Sequence, residues 1–435
     1  MDKISKISAR QVLDSRGNPT IYAIVKTSSG NYGYSCVPSG ASTGSKEALE
    51  MRDGDVNKFN GKGVLKAINN IHNEITPTIL GMEISDINLI DSKMIELDGT
   101  EFKSRLGANS ILAVSMACTR AGAASSGIEL FRFIRNLYDP KKTEFKLPNP
   151  MFNVLNGGSH AFNSTDFQEY MVVPTGIDNF ENSISAGFEI YNKLKNILEN
   201  KNLPTTLGDE GGFAPSGLSN EDPLILLSKA VSETGLSLGK DIKFALDVAA
   251  SEFYDDSTGT YELKSENKNV SPDELIKIYK NLSKDYPIYS IEDGLSEDDW
   301  NGWKKLTSNI GNNIQLVGDD LYVTQKKFLT RGIDEKAGNS ILIKLNQVGT
   351  VSETIENIKL AQNNNFETII SHRSGETEDT FIADLAVGTD STQIKTGAPA
   401  RGERVNKYNR LLLISDEIKE KFNYKAKNNL VGKYK

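Results

Sequence analysis

The 435-residue chain has little sulfur and little imidazole: two cysteines, Cys36 and Cys118, and three histidines, His72, His160 and His372. Two cysteines cannot build a disulfide framework and fit no metal-ligand spacing. A reduced, cytoplasmic protein is expected. None of the histidines falls in HExxH or in a Cys/His cluster, which argues against zinc. No apolar stretch reaches the roughly 18 residues that a membrane span needs, and the opening MDKISKISAR lacks the apolar core of a secretory signal. There is no P-loop, and no GxGxxG opens a helix after a strand, so a nucleotide cofactor is not expected. A formal net charge of −8 argues against nucleic acid as the main ligand. Neither a solenoid-type repeat nor a low-complexity tract is present. What remains is an ordinary globular composition, 38% hydrophobic and 25% charged.

The first third behaves differently from the rest. Segments 20–26 and 32–37 are β-rich and joined through Ser28-Ser29-Gly30-Asn31, as a hairpin would be. Helical patterns follow at 62–75, 86–97 and 108–126, the last rich in small residues and closed by Gly127. The polar, proline-bearing stretch YDPKKTEFKLPNP then interrupts the pattern. It sets the boundary between an N-terminal domain, 1–138, and a C-terminal domain, 139–435. Beyond it, strands alternate with helix candidates at 178–200, 220–235, 272–284, 324–337, 351–364 and 404–420. Such alternation over so long a stretch favours a closed α/β barrel over a doubly wound sheet.

Six apolar runs of this domain end in a charged or imidazole side chain. They are KFALDV at Asp247, PIYSIED at Glu292, IQLVGDD at Asp319, ILIK at Lys344, ETIISHR at His372 and Arg373, and QIK at Lys395. Steps of 23 to 45 residues separate them, enough for a strand, a helix and two loops each. In a parallel α/β barrel the strand C-terminal ends converge on one mouth, where the chemistry is done. Any one of these residues alone reads as an ordinary charge leaving a buried strand. Six in series point to an enzyme.

The carboxylates Asp247, Glu292 and Asp319 form an all-oxygen set suited to a hard cation such as Mg²⁺. Lys344 ends an apolar strand, where burial and nearby cations would depress its pKa, as a lysine general base requires. Lys395 is a second cation at the same mouth, able to hold its neighbour neutral or to bind an anion. In SHRSGE, Arg373 and Ser374 suit a phosphate or carboxylate, the guanidinium fork giving two parallel hydrogen bonds. Glycine-rich VLNGGSH and LGDEGGFAP read as loops. Glu210 and the Gln168-Glu169 pair offer carboxylates that could share a proton, raising one pKa into the range of a general acid. VPSGASTGSKEALEMRDGD, residues 37–55, is a Gly/Ser/Thr loop that reads either as a turn with an N-cap or as a lid whose hydroxyls reach a metal or phosphate.

Together these segments resemble the enolase family. DSRGNPT, PSGASTG, LDGT, LGANSILAVSMA, NVLNGGSHA, GDEGGFAP, SIEDG, GDDL, ILIKLNQVGT, SHRSGETED and QIKTGAPAR match its pattern in one order, from about residue 5 to about residue 415. The resemblance implies an N-terminal α+β domain and a barrel of ββαα(βα)6 order, whose first strands need not be parallel. It implies a lyase that reversibly dehydrates 2-phosphoglycerate to phosphoenolpyruvate, serving glycolysis and gluconeogenesis, with two Mg²⁺ per site. Asp247, Glu292 and Asp319 would hold the first Mg²⁺, and Ser42 the second once its loop closes. Lys344 would take the C2 proton; Glu210, helped by Glu169, would protonate the departing C3 hydroxyl. Arg373 and Ser374 would hold the phosphate and Lys395 the carboxylate, while His160, Gln168 and His372 line the site. A homodimer or an octamer is implied. So is a secondary surface role, plasminogen binding through the C-terminal Lys433 and Lys435, with secretion or cell-surface display lacking a signal peptide.

Two departures stand out: Phe162 where small or acidic residues are commoner, and a lysine-rich tail that diverges after residue 415. A racemase or sugar-acid dehydratase would use the same three carboxylates but lack PSGASTG and SHRSGE.

Overall fold

A three-stranded antiparallel sheet opens the computed structural model, which describes residues 2–40, 44–161 and 163–418. Ser42, Phe162, Lys433 and Lys435 lie outside the described residues. The sheet is β1 (Ile4–Leu13), β2 (Pro19–Thr27) and β3 (Tyr32–Cys36) in that spatial order. Ile21, Ala23 and Val25 alternate along β2 and are fully buried, as the period of two of a half-covered strand requires. The expected hairpin is β2–β3. The sequence reading missed β1, because ISKISARQVL has no clean alternation and only Ile4 and Ile7 are buried.

Five helices follow this sheet, α1 (Leu65–Asn70), α2 (Thr76–Ile79), α3 (Ile87–Asp98), α4 (Ala108–Ser125) and α5 (Leu130–Tyr138), and α1, α2 and α4 pack against it. The periodic segment 62–75 is not one regular helix, since α1 passes into a π-turn at Ile71–Ile75. On that turn the His72 imidazole accepts from the Ala9 backbone N–H at 3.1 Å, which ties the helix to β1. Fifteen of the 18 residues of α4 are buried. Their small side chains let β3 approach until a Cβ at Gly33 would lie 2.2 Å from Ala117 O and 2.3 Å from Ala121 N. Only glycine fits there.

The remaining chain runs β4 (Asn149–Asn156), β5 (Glu169–Val173), α6 (Phe180–Asn200), α7 (Asp222–Ser232) and β6 (Lys243–Asp247). A small antiparallel flap follows, β7 (Tyr254–Asp255), β8 (Thr260–Leu263) and β9 (Lys268–Val270), and then α8 (Pro272–Asp285). Next come β10 (Ile288–Glu292), α9 (Trp300–Ile310), β11 (Gln315–Gly318), α10 (Lys326–Glu335) and β12 (Ser340–Ile343). The short α11 (Leu345–Val348) leads into α12 (Val351–Asn363), β13 (Glu367–Ser371), α13 (Phe381–Gly388), β14 (Gln393–Lys395) and α14 (Gly402–Ile418). Eight of these strands close a barrel in the spatial order β10-β11-β12-β13-β14-β4-β5-β6. Its order is the ββαα(βα)6 that the resemblance implied: β5 runs antiparallel to both β4 and β6, and the other neighbours are parallel. The 254–270 flap was not expected.

Met151, Met171, Val173, Ala245, Val317, Leu342 and Ile369 fill the barrel interior as one apolar cluster. The buried amides of Gln315 and Gln393 satisfy each other there, at 2.6 and 3.2 Å. Outer helices start where side chains can take the orphan N–H groups. Ser271 and Glu274 form a reciprocal capping box on α8, and the Thr350 hydroxyl accepts from Glu353 N at the head of α12.

One buried ion pair joins sheet and helices to the barrel. Arg120 of α4 grips Asp379 with both terminal nitrogens, at 2.7 and 2.6 Å, and also donates to Tyr34 O at 2.6 Å. Asp379 accepts further from Cys36 N and Phe381 N, both at 2.8 Å. The guanidinium lies over the rings of Tyr34 and Phe381. Burial would raise the Asp379 pKa, but the Arg120 charge outweighs it and holds the carboxyl low. Arg120→Ala, which strands that carboxylate, is expected to destabilise the protein by about 3–5 kcal/mol in urea unfolding. The double variant with Asp379→Leu should recover part of the loss.

Candidate active site

Register brings the carboxylates to one level. On β6, Asp247 pairs with Glu169 of β5 on one side and with Glu292 of β10 on the other. Because β5 is reversed, its first residue, not its last, faces the mouth. Asp319 and Lys344 come directly after β11 and β12, His372 after β13, and Lys395 ends β14. A cleft opens at this rim. It is lined by His160, Gln168, Glu169, Glu210, Asp247, Asp319, Lys344, His372, Arg373, Ser374 and Lys395. Of the predicted residues, Glu292 lies behind the lining and Ser42 is outside the described residues.

Two ammonium groups sit among the carboxylates. The Lys395 Nζ donates to Asp247 Oδ2 at 2.8 Å and to both oxygens of Glu292 at 2.9 Å, and it lies 3.3 Å from Glu169 Oε2. Burial would lower its pKa, but Asp247, Glu169 and Glu292 drive it well above the ordinary lysine value. Lys344 Nζ bonds Asp319, whose other oxygen accepts from Gln347 Nε2 at 2.9 Å. The depressed lysine expected from the sequence is therefore not found. Burial does push Lys344 down, but the Asp319 charge outweighs it and the pKa is raised. The apolar strand revealed the burial, and the carboxylate from the neighbouring strand end reverses its effect.

Across the mouth, a ring nitrogen of His160 and carboxylate oxygens of Glu169 and Glu210 lie within 4.8 Å of one another. Burial and then the Glu210 charge push Glu169 well above the carboxylate range. Burial would raise Glu210 too, but His372, His160 and Arg404 hold it well below. Asn153 Nδ2 also donates to Glu210 Oε2 at 3.0 Å. Glu169 is thus the raised partner of the two, the reverse of the raised Glu210 that a direct acid role calls for. His372 Nε2 stands 3.2 Å from Glu210 Oε2, with its N–H off the line of a good hydrogen bond. On the other wall, Arg373 forks onto Glu47 at 3.0 Å through each terminal nitrogen and onto Asn346 Oδ1 at 2.8 Å. A planar anion already engages the guanidinium where a phosphate was expected.

Acidic groups at the mouth could hold a divalent cation. Asp247, Glu292 and Asp319 are buried and offer oxygen ligands alone, and each is paired with a lysine ammonium. Burial and the Asp247 charge leave Glu292 well above its ordinary pKa, a sign of negative charge not fully met by Lys395. Asp293 and Asp320 join Asp319 in a second convergence of carboxylate oxygens within 4.8 Å. Both were missed, although SIED and GDD print them beside the chosen residues. Glu47, Asn153, Gln347 and Arg404 were missed as well, because none of them is itself a charge at the end of an apolar strand.

Burial also pushes His372 down to about 4, so the imidazole is neutral in the fold. The unfolded chain, with an ordinary histidine, takes up its proton first as pH falls. The associated stability is therefore complete above pH ~6.5 and is lost toward pH ~4, on the order of 3 kcal/mol in all. Unfolding at pH 7.5 and 4.5 should show wild type losing more stability than His372→Gln by about that amount.

The family model of the enolase C-terminal TIM barrel domain matches residues 144–432, and that of the enolase N-terminal domain matches residues 4–134. Together they take in the antiparallel sheet, α1 to α4 with the start of α5, and the whole barrel with its mouth. Such a domain pair, with acidic groups able to hold a divalent metal, describes a lyase-type enzyme. The chain belongs to the enolase family.

Proposed function

We propose that the chain is a phosphopyruvate hydratase, which reversibly dehydrates 2-phospho-D-glycerate to phosphoenolpyruvate. One observation carries this reading: a lysine and a carboxylate pair stand on opposite walls of one cleft. Lys344 follows β12 and Glu169 opens β5, and in the ring of eight strands these two are four steps apart in either direction. An elimination that takes a proton from one carbon and sheds hydroxide from the next needs a base and an acid placed that way.

A proton beside a carboxylate is weakly acidic, because its removal puts a second negative charge on the carboxylate oxygens. Mg²⁺ held by Asp247, Glu292 and Asp319 supplies electrostatic stabilisation of that charge when bound. Lys395 adds a buried positive charge beside the same oxygens. Lys344 acts as base once Asp319 no longer pairs with it, since that carboxylate is what keeps the ammonium protonated. The departing hydroxyl takes the proton held by the Glu169–Glu210 pair, with Glu210 passing it on from Glu169. The Arg373 fork exchanges Glu47 for the substrate phosphate, with Ser374 beside it at the cleft rim.

Phosphoenolpyruvate formation from 2-phosphoglycerate, followed by absorbance, tests the reading. Activity should disappear when divalent cations are chelated and return with Mg²⁺. Lys344→Ala and Glu210→Gln should each lower kcat by about 10²–10⁴-fold. Turnover that survives chelation or Lys344→Ala would sink the mechanism. Turnover only of a hydroxy acid lacking phosphate would assign the protein to the racemases or sugar-acid dehydratases instead.

A further inference from the structure

Arg404 lies in the first turn of α14 with no exposed surface. Its guanidinium reaches two loops of the mouth at once. One terminal nitrogen donates to His372 Nδ1 and to Arg373 O, both at 2.7 Å. The other donates to Ser374 O at 2.7 Å and to Asp209 O at 3.0 Å. Gly397 makes room for the stem, since a Cβ there would lie 2.9 Å from Arg404 Cδ and 2.7 Å from Glu210 O.

A guanidinium carries five N–H donors and no acceptor. His372 Nδ1 must therefore present its lone pair, and the ring proton sits on Nε2, 3.2 Å from Glu210. We propose that Arg404 is a positioning residue that fixes His372 as the Nε2–H tautomer, so that a donor, and not a basic lone pair, faces Glu210. The opposite tautomer would turn a lone pair toward Glu210 and set two acceptors face to face across 3.2 Å. The charged groups acting on the imidazole are Glu210, Arg404 and Glu376. Burial and the Arg404 charge keep it neutral against the two carboxylates.

The effect on turnover rests on the reaction proposed above, whereas the tautomer itself is read without substrate or metal. In ¹⁵N-labelled wild type at pH 7, the imidazole signals of only three histidines appear, and His372 is assigned by its loss in His372→Gln. The expected His372 signature is a pyridine-like Nδ1 and a pyrrole-like Nε2. A pyrrole-like Nδ1, or a doubly protonated ring, overturns the proposal without any Arg404 variant. Arg404→Lys should mix the tautomers, move the acidic limb of the kcat profile to higher pH and lower kcat by about 10–100-fold. In a His372→Gln background the same substitution should cost far less, because its target is gone. If Arg404→Lys keeps tautomer and pH profile and loses only stability, Arg404 is a structural arginine and the proposal fails. Failure of the wild type to make phosphoenolpyruvate would sink the reaction while leaving the tautomer assignment intact.

Discussion

Everything at the mouth follows from negative charge gathered where there is little water to spread it. Strand register sets Glu169, Asp247 and Glu292 side by side, and Asp319, with Asp293 and Asp320, continues the row. Buried charges of one sign are tolerable only if they take protons or find cations. Both solutions are used: Glu169 is shifted toward its protonated form, Lys395 nests among three carboxylates, and Lys344 sits on Asp319. The lysines in this structure do what a divalent ion is suited to do, which is why their own pKa values are driven up. An incoming cation and a lysine base are therefore linked through one carboxylate.

Around this row the protein invests in rigidity. Arg404 binds the 371–376 and 208–215 loops to the head of α14, while Gln347 bridges Asp319 and Glu47. Arg120 and Asp379 lock the antiparallel sheet and α4 to the barrel side. With that pair buried and fully hydrogen-bonded, rearrangement at the mouth falls to segments much shorter than a domain.

Much of this was legible because barrel strands are short apolar runs and a charge at the end of each is conspicuous. KFALD, IYSIE and SILIK show their terminal residues plainly, and the structure places all of them at the mouth. The reversed strand was opaque, since EYMVV carries its site residue at the wrong end for a parallel strand. Arg404 was opaque for another reason: in ARGER it reads as one solvated charge among several, and only tertiary contact shows it to be buried. The protonation states were beyond reach, since burial and neighbouring charge oppose each other and distance alone decides the winner. That is how Lys344 came out raised and Glu210 lowered.

The reversal of β5 has an evolutionary side. Since β4 and β5 are antiparallel, the connection between them lies at the mouth, and His160, Gln168 and Glu169 all arrive on one continuous hairpin. The opposite wall is assembled from residues scattered over more than a hundred positions, each fixed by its own strand. A single recombination or loop graft could therefore exchange His160, Gln168 and Glu169 together, with Glu210 arriving separately from the 208–215 loop. The other wall can change only one side chain at a time.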